Sequence, residues 1–285
     1  MLSYLHSYHA GNFADILKHL NLVHALEYLT QKPKPLTYFD SHAGAGVYRL
    51  QGSEAQKNQE FENGIGVIWD EDCSAYPSLA LYKTLVQELN AQEPAALNFY
   101  PGSPWLASQL LSAQDKLQLC ELHPREQTLL QKNLGKDRRV KLFFKDGFQQ
   151  AIASMPPPSR RGLLLMDPPY EDKQDYRKVV ETLVACHKRF ATGSFALWYP
   201  VVERKTIDRL WRDFKNSGVR NIQVFELGIA PDTLGRGMNG SGMLWINPPW
   251  TLFNEMQSTL PFLAEKLGSA NKNQGYYRCE QLVAE

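Results

Sequence analysis

The chain has 285 residues, 43% of them hydrophobic and 21% charged, and carries a formal net charge of +1. That length suits one large α/β domain or two small ones, and it buries a full core without metal or disulfide staples. The near-neutral balance argues against a histone-like polycation, though not against a local basic face. Its four cysteines, Cys73, Cys120, Cys186 and Cys279, are far apart and form no C-x-x-C pair. They read as free thiols in a reducing compartment, not as a zinc site or a disulfide framework. The first residues, MLSYLHSYHAGNF, lack a basic stretch leading into an apolar one, and no apolar run nears the ~20 residues of a membrane span. A soluble, cytoplasmic protein is expected.

Strand-length apolar runs alternate with helix-like stretches, which argues for a mostly parallel sheet with helices on both faces. Phe13, Ile16, Leu17, Leu20 and Val23 recur at helical spacing and predict a helix over 12–31. His9, Asn12, Asp15, Lys18 and His19 cluster at its start; Asn12, Asp15 and His19 share one face, which taken alone reads as solvated. Strand 36–41 opens into the glycine turn HAGAG, His42 to Gly46, whose small residues let backbone approach a ligand closely. Residues 51–96 break the rhythm and read as a helical insertion in a domain formed by residues 1–50 and 97–267. Then follow strand KLQLCEL, helix PREQTLLQKNL, strand VKLFFKD and a short helix from Gly147. Strand 162–167, helix 173–190, strand SFALWYP and helix RKTIDRLWRDFKNSG continue the alternation. The last strands, NIQVFEL and GMLWIN, are joined by the glycine-rich loop DTLGRGMNGSG. Residues 268–285, with GSANKNQG, read as a mobile C-terminal tail.

Ligands of open α/β sheets sit outside the carboxyl ends of the strands, near the point where strand order reverses. The predicted strands end in Asp40 with His42, then Glu121, Asp146 and Asp167, so these residues could ring one crevice. Glu121 suits a ribose and Asp146 an adenine amino group. Each acid alone equally suits a cap on the helix that follows.

Asp167-Pro168-Pro169-Tyr170 is chemically the most pointed stretch. The prolines fix φ and remove backbone donors, holding Asp167 and a carbonyl in a stiff presentation. An aromatic amine is a poor nucleophile because its lone pair is delocalised. A carboxylate and a carbonyl binding its two N–H groups favour a pyramidal nitrogen with the lone pair free, while Tyr170 offers a face for stacking the base. A second such turn, Asn247-Pro248-Pro249-Trp250, ends the last predicted strand; by its position, Asn247 and Trp250 are expected to close the sheet and lead into the final helix. No G-x-S-x-G elbow suggests a hydrolase. The histidines His6 and His9 precede the first helix, with no second cluster to complete a metal site.

D-P-P-Y at the end of the fourth strand is the signature of S-adenosylmethionine-dependent amino methyltransferases. The segments MLSYLHSYHAGNFADILKH, DSHAGAGVYRL, YPGSPWLASQLL, LCELHP, KDGFQ, RRGLLLMDPPYE, RFATGSFALWYPVV and RGMNGSGMLWINPPW extend the likeness over nearly the whole chain. In them the chain resembles the RlmJ family of bacterial 23S ribosomal RNA adenine-N6 methyltransferases. The resemblance implies a doubly wound, Rossmann-like class I methyltransferase sheet with a small helical insertion that touches RNA. It implies Asp167 as the catalytic acceptor within the turn formed with Pro168, Pro169 and Tyr170. It implies His19, His42, Ser103, Glu121, Asp146, Gly147 and Asp167 as contacts of S-adenosylmethionine. Tyr4, Lys18 and Tyr170 would serve the substrate. The partner implied is 23S ribosomal RNA, and a monomer without metal or membrane is expected. Methylation of DNA adenine or of a protein glutamine uses related tetrapeptides, and an RNA-binding protein without catalysis is a further reading. Arg160, Arg161, Lys173, Arg177 and Lys178 flank the turn in sequence; with Arg236 they could meet phosphates, as could Lys188, Arg189, Arg204, Lys205, Arg209 and Arg212 beyond.

Overall fold

A computed structural model of the protein describes residues 5–93, 96–231 and 237–285. Tyr4 and Arg236 lie outside the described residues. A 3-10 turn at His6–Tyr8 leads into α1, Phe13–Thr30. Asn12 caps that helix, accepting bonds from the N–H groups of Ala14 and Asp15, both at 3.0 Å. Residues 13–26 of α1 are all buried. The polar residues at its start therefore face protein, not solvent, and the solvated-face reading fails.

After β1, Thr37–Asp40, come the short β2, Val47–Arg49, and the helices α2, Ser53–Asn58, α3, Ile65–Trp69, and α4, Pro77–Leu89. The chain returns in β3, Phe99–Pro101, which pairs antiparallel with β2. Then follow α5, Ser103–Leu110; β4, Lys116–Cys120; α6, Pro124–Leu134; β5, Val140–Phe143; and α7, Gly147–Ala153. The second half adds β6, Gly162–Met166; α8, Asp175–Arg189; β7, Ser194–Val201; α9, Arg204–Asn216; β8, Ile222–Gly228; β9, Gly240–Ile246; α10, Leu252–Ala270; and β10, Tyr276–Val283.

The main sheet has eight strands in the order β10-β8-β9-β7-β6-β1-β4-β5. β5, β4, β1, β6 and β7 run parallel, whereas β9 is antiparallel to both β7 and β8. From β1 the chain winds outward through β4 and β5, then returns to β6 on the other side of β1. The doubly wound expectation holds, and strand order reverses between β1 and β6. Side chains alternate between the two faces. Leu163 and Leu165 of β6 pack in the core shared with α1, α5, α6 and α10. Leu164 and Met166 pack in the other core, with α7, α8 and α9.

The segment 268–285, expected as a mobile tail, instead finishes α10 and forms the edge strand β10, antiparallel to β8. Its residues mix polar and apolar types, the habit of an edge strand blunted against further pairing. Tyr276 anchors it against two strand glycines. A Cβ on Gly228 would come within 2.0 Å of the Tyr276 ring, and one on Gly240 within 2.3 Å of its hydroxyl. Glu226 of β8, fully buried, binds the guanidinium of Arg204 at 2.9 and 2.8 Å, accepts from the Tyr199 hydroxyl at 3.2 Å, and has Arg278 of β10 at 3.4 Å. Among the described residues, no helix is long and apolar enough to cross a membrane.

The second proline turn is structural. Asn247 holds φ at +51° in the left-handed region. Its side-chain amide donates to the carbonyls of Ala191 and Gly193 at 2.8 and 2.9 Å, and its own carbonyl accepts from Ser194 Oγ at 2.8 Å. Because Ile246 of β9 pairs with Phe195 near the start of β7, this turn lies at the amino ends of the parallel strands. Trp250 departs from expectation: it is 73% exposed and closes nothing. Asn247→Ala should cost about 2 kcal/mol, from lost bonds and a left-handed alanine. A lowered thermal midpoint with kcat within about twofold of wild type is the expected pair of readings; a selective loss of turnover would contradict it.

Candidate active site

The carboxyl ends of the five parallel strands open into one cleft of about 1540 Å³. His19, His42, Ser103, Glu121, Asp146 and Gly147 line it, as do Lys18 and the whole Asp167–Tyr170 turn. Of the expected site residues only Tyr4 is outside what the structure describes.

Asp167 follows Met166, the last residue of β6. Its Oδ2 accepts a bond from Lys18 Nζ at 2.6 Å, and Lys18 Nζ also lies 2.9 Å from Asp15 Oδ1. The other Asp15 oxygen accepts from the Gly11 N–H at 2.9 Å and stands 2.9 Å from His6 Nε2. Burial works to lower the Lys18 pKa, but the charges of Asp15 and Asp167 outweigh it and hold it above the usual lysine value. Lys18 is thus a fixed cation clamped between two carboxylates. Asp167 Oδ1 receives no bond among the described residues.

The prolines give way to Tyr170 at φ +52°, a conformation non-glycine residues rarely adopt. It is held there by packing: its hydroxyl donates to the Trp198 carbonyl at 2.8 Å, and its ring lies 4.5 Å from that of Tyr176. Burial raises the phenol pKa well above its ordinary value.

On the other side of the cleft, Asp40 is fully buried at the end of β1. Its Oδ2 accepts from the hydroxyls of Tyr38 and Ser103, each at 2.7 Å, and its Oδ1 from the His42 N–H at 3.2 Å. Burial pushes the Asp40 pKa up to about 6. Asp40 therefore serves as a hub that sets the glycine turn against α5. Glu121 pins the same turn, its Oε2 accepting from the Gly44 N–H at 2.8 Å and its Oε1 from the His123 N–H at 2.7 Å. Burial raises its pKa. The cap on α6 is His123, not Glu121, accepting from the Arg125 N–H. Asp146 does cap α7, through Gln149 N–H at 3.0 Å. Gly147 must lack a side chain, since a Cβ there would lie 1.9 Å from the Ser41 carbonyl oxygen.

Two histidines in the wall are held neutral. Burial lowers the His19 pKa to about 3 and that of His42 to about 4. His19 Nδ1 meets the Tyr100 hydroxyl at 2.7 Å, while its Nε2 is buried without a partner among the described residues. Glu126 and Trp198 also line the cleft, and each has buried side-chain polar atoms without a partner among the described residues; no motif or spacing marks either in the sequence. Among the described residues no group of three metal-ligating side chains stands together.

The basic residues sort by which end of the sheet they occupy. Lys173, Arg177, Lys178, Lys205 and Arg209 line the cleft. Arg160 and Arg161 flank the tetrapeptide only in sequence, for they precede β6 at its far end. Arg161 donates to the carbonyls of Leu29 and Lys34 and ties down the loop after α1. Lys188 and Arg189 end α8 at that same end, where Arg189 donates to the Ile152 carbonyl at 2.9 Å. Arg204 is committed to Glu226.

With this geometry in hand, comparison with known proteins is specific. The family model described as Ribosomal RNA large subunit methyltransferase D, RlmJ, matches residues 33–283. Two proteins named Ribosomal RNA large subunit methyltransferase J align over 267 residues: one from Escherichia coli (strain K12) is 48% identical and one from Haemophilus influenzae 45%. Each alignment covers 94% of this chain and 94% of the relative. A crystal structure of a protein from Legionella pneumophila has a TM-score of 0.87 at 35% identity, covering 96% of this chain and 98% of that one. The sheet order, the tetrapeptide at the switch point and a match over most of the chain agree, and the chain belongs to the RlmJ family of ribosomal RNA large subunit methyltransferases.

Proposed function

We propose that the protein transfers a methyl group from S-adenosylmethionine to the exocyclic N6 amine of an adenine in 23S ribosomal RNA. The observation that carries this reading is Asp167, set in a rigid proline turn at the switch point, with one oxygen held by Lys18 and the other accepting no bond among the described residues.

The residues present fit the methyl donor. Both Glu121 oxygens are oriented by backbone N–H groups, leaving further lone pairs for ribose hydroxyls. The glycine turn is closely packed: a Cβ on Gly44 would come within 2.1 Å of the Tyr48 hydroxyl, and its φ of +59° suits glycine. The unpartnered His19 Nε2 answers to the polar amino-acid end, and Asp146 with Gly147 to the adenine end. His42 and Ser103, both braced by the Asp40 hub, complete the contacts. When bound, S-adenosylmethionine supplies an electrophilic methyl on a sulfonium.

The chain's own residues align the nucleophile. Asp167 Oδ1 and a carbonyl of the proline turn accept the two N–H bonds of the amine, which favours a pyramidal nitrogen with its lone pair directed outward. Asp167 need not be a strong base, since the amine proton becomes acidic once the new C–N bond forms. Catalysis is then mostly alignment. Tyr170, pinned by its hydroxyl, supplies aromatic surface for the base. Tyr4 and Lys18 are assigned to the substrate side.

The helical stretch 51–96 is proposed as an insertion in the domain formed by 1–50 and 97–267, placed to meet RNA. The β2–β3 pair supports this, because it brings the exit and return of that stretch side by side. Labelled methyl transfer to unmodified 23S ribosomal RNA, DNA and protein, with the modified base mapped, tests the function. N6-methyladenine confined to the RNA is expected. Transfer to DNA or to glutamine without transfer to RNA would overturn it, as would cofactor binding with no transfer at all.

A further inference from the structure

Residues 132–145, KNLGKDRRVKLFFK, hold six basic residues and a single acid, a net charge of +5. Since the whole chain carries +1, the rest of it sums to −4. The excess of positive charge is therefore local, and the fold sets it on a boundary. β5 is the last strand on the parallel side of the sheet and pairs only with β4.

Two of the six cations have local partners. Arg139 binds Asp137 and donates to the carbonyls of Leu111 and Ser108. Lys132 lies in the last turn of α6, where a cation suits the helix dipole. The other four, Lys136, Arg138, Lys141 and Lys145, are exposed and make no hydrogen bond or ion pair among the described residues. Lys141 lies over the ring of Phe143, 4.9 Å from its centroid. The acids close by are engaged, Asp137 with Arg139 and Asp146 as the cap on α7.

Protection of an open edge does not account for these four. A charge of either sign blunts an edge strand, and at the opposite edge β10 sets Arg278 beside Glu280 at 3.7 Å. Lys136, Arg138 and Lys145 also lie outside the strand itself, Val140–Phe143, where there is no ladder to guard. From Arg138 to Lys145 the chain covers about 23 Å at the rise of a strand. It ends at the cleft, since the next three residues, Asp146, Gly147 and Phe148, line its wall. β5 stands three strand spacings from β6, about 14 Å, so the cations run beside the cleft and not through it. An RNA nucleotide placed at Asp167 brings a flanking backbone with one negative charge per nucleotide, long enough to reach this edge.

We propose that Lys136, Arg138, Lys141 and Lys145 on the β5 edge form a phosphate-binding surface that holds the ribosomal RNA backbone beside the cleft. The proposal rests on the RNA reading above and deepens it. Phosphate contacts carry no sequence information and are the same before and during methyl transfer, so they set affinity and not turnover.

The test combines Lys136→Gln, Arg138→Gln and Lys141→Gln; Lys145 stays because its neighbour Asp146 is assigned to the cofactor. The comparison variant makes the same change of charge at the far end of the sheet, with Lys32→Gln, Lys34→Gln and Lys188→Gln. On unmodified 23S ribosomal RNA the edge variant should raise KM about 10-fold and lower the slope of log affinity against log salt by about 2. Its kcat should stay within about twofold and its cofactor affinity unchanged, because only uniform binding is lost. The comparison variant should keep KM within about twofold of wild type, since exposed charges beyond a Debye length are screened. Should the edge variant melt early, Arg138→Gln and Lys141→Gln are read singly, each for a slope change of about 1. An edge variant whose KM and salt slope match those of the comparison variant would overturn the proposal. So would an unchanged KM for RNA together with lost binding to vesicles of equimolar phosphatidylserine and phosphatidylcholine, which would make the edge a membrane-facing surface. Wild type that methylates no ribosomal RNA would instead overturn the reading on which the proposal rests.

Discussion

Asp167→Ala should abolish methyl transfer while leaving the fold in place. Loss of a single preorganised polar contact at a reacting centre costs about 10²- to 10³-fold in turnover. Here the lost group is both the proposed acceptor for the amine and one anchor of Lys18, so the effect belongs at or above that range. The fold should survive because Lys18 keeps Asp15 at 2.9 Å and is not left as an unpaired buried cation. Asp167→Asn should retain more activity than Asp167→Ala, since it keeps an acceptor oxygen on the same stem. Single-turnover rates with labelled cofactor, alongside thermal melting and cofactor affinity, check this. An alanine variant that folds and methylates near the wild-type rate would remove Asp167 from the mechanism.

The largest stability effect lies away from the chemistry. Arg204→Met strips the bidentate partner from Glu226, a carboxylate with no exposed surface. Removing one partner of a buried ion pair costs about 3–5 kcal/mol. Arg278 and Tyr199 remain beside the carboxylate, so the lower end is expected, about 3 kcal/mol. In thermal melting that is a drop of roughly 6–12 °C for a chain of this size. Adding Glu226→Gln to Arg204→Met should recover part of the loss, because the stranded charge goes too. If the double variant is no more stable than Arg204→Met, the cost is lost packing of Arg204 over Trp211 and not the stranded carboxylate.

Much of the layout was legible because its signals are local. The α1 pattern at helical spacing, the short apolar runs of β4, β6 and β8, and the stiff tetrapeptide each occupy a few consecutive residues. Elements of three residues, β2 and β3, carry too little pattern to read. β10 was read as tail because its polar residues alternate on an edge, where burial is partial on both faces. The site was legible as strand-end acids but not as pairs. Nothing in a run of letters says that Lys18 belongs to Asp167, or that Glu121 is held by Gly44. The basic residues show the same limit: Arg161 and Lys173 stand near the tetrapeptide in sequence, yet a strand of β6 length carries them to opposite ends of the sheet.

The bond between Lys18 and Asp167 joins residues 149 positions apart. During synthesis the lysine emerges with the first helix, and its aspartate follows only after the glycine turn, the helices of 51–96 and four strands of the parallel block. No shorter nascent chain possesses the clamp. Contacts of such long separation form late and slowly in folding. Competence to react is therefore a property of the finished sheet, and the ion pair that steadies the proposed acceptor also reports that the two halves of the chain have met.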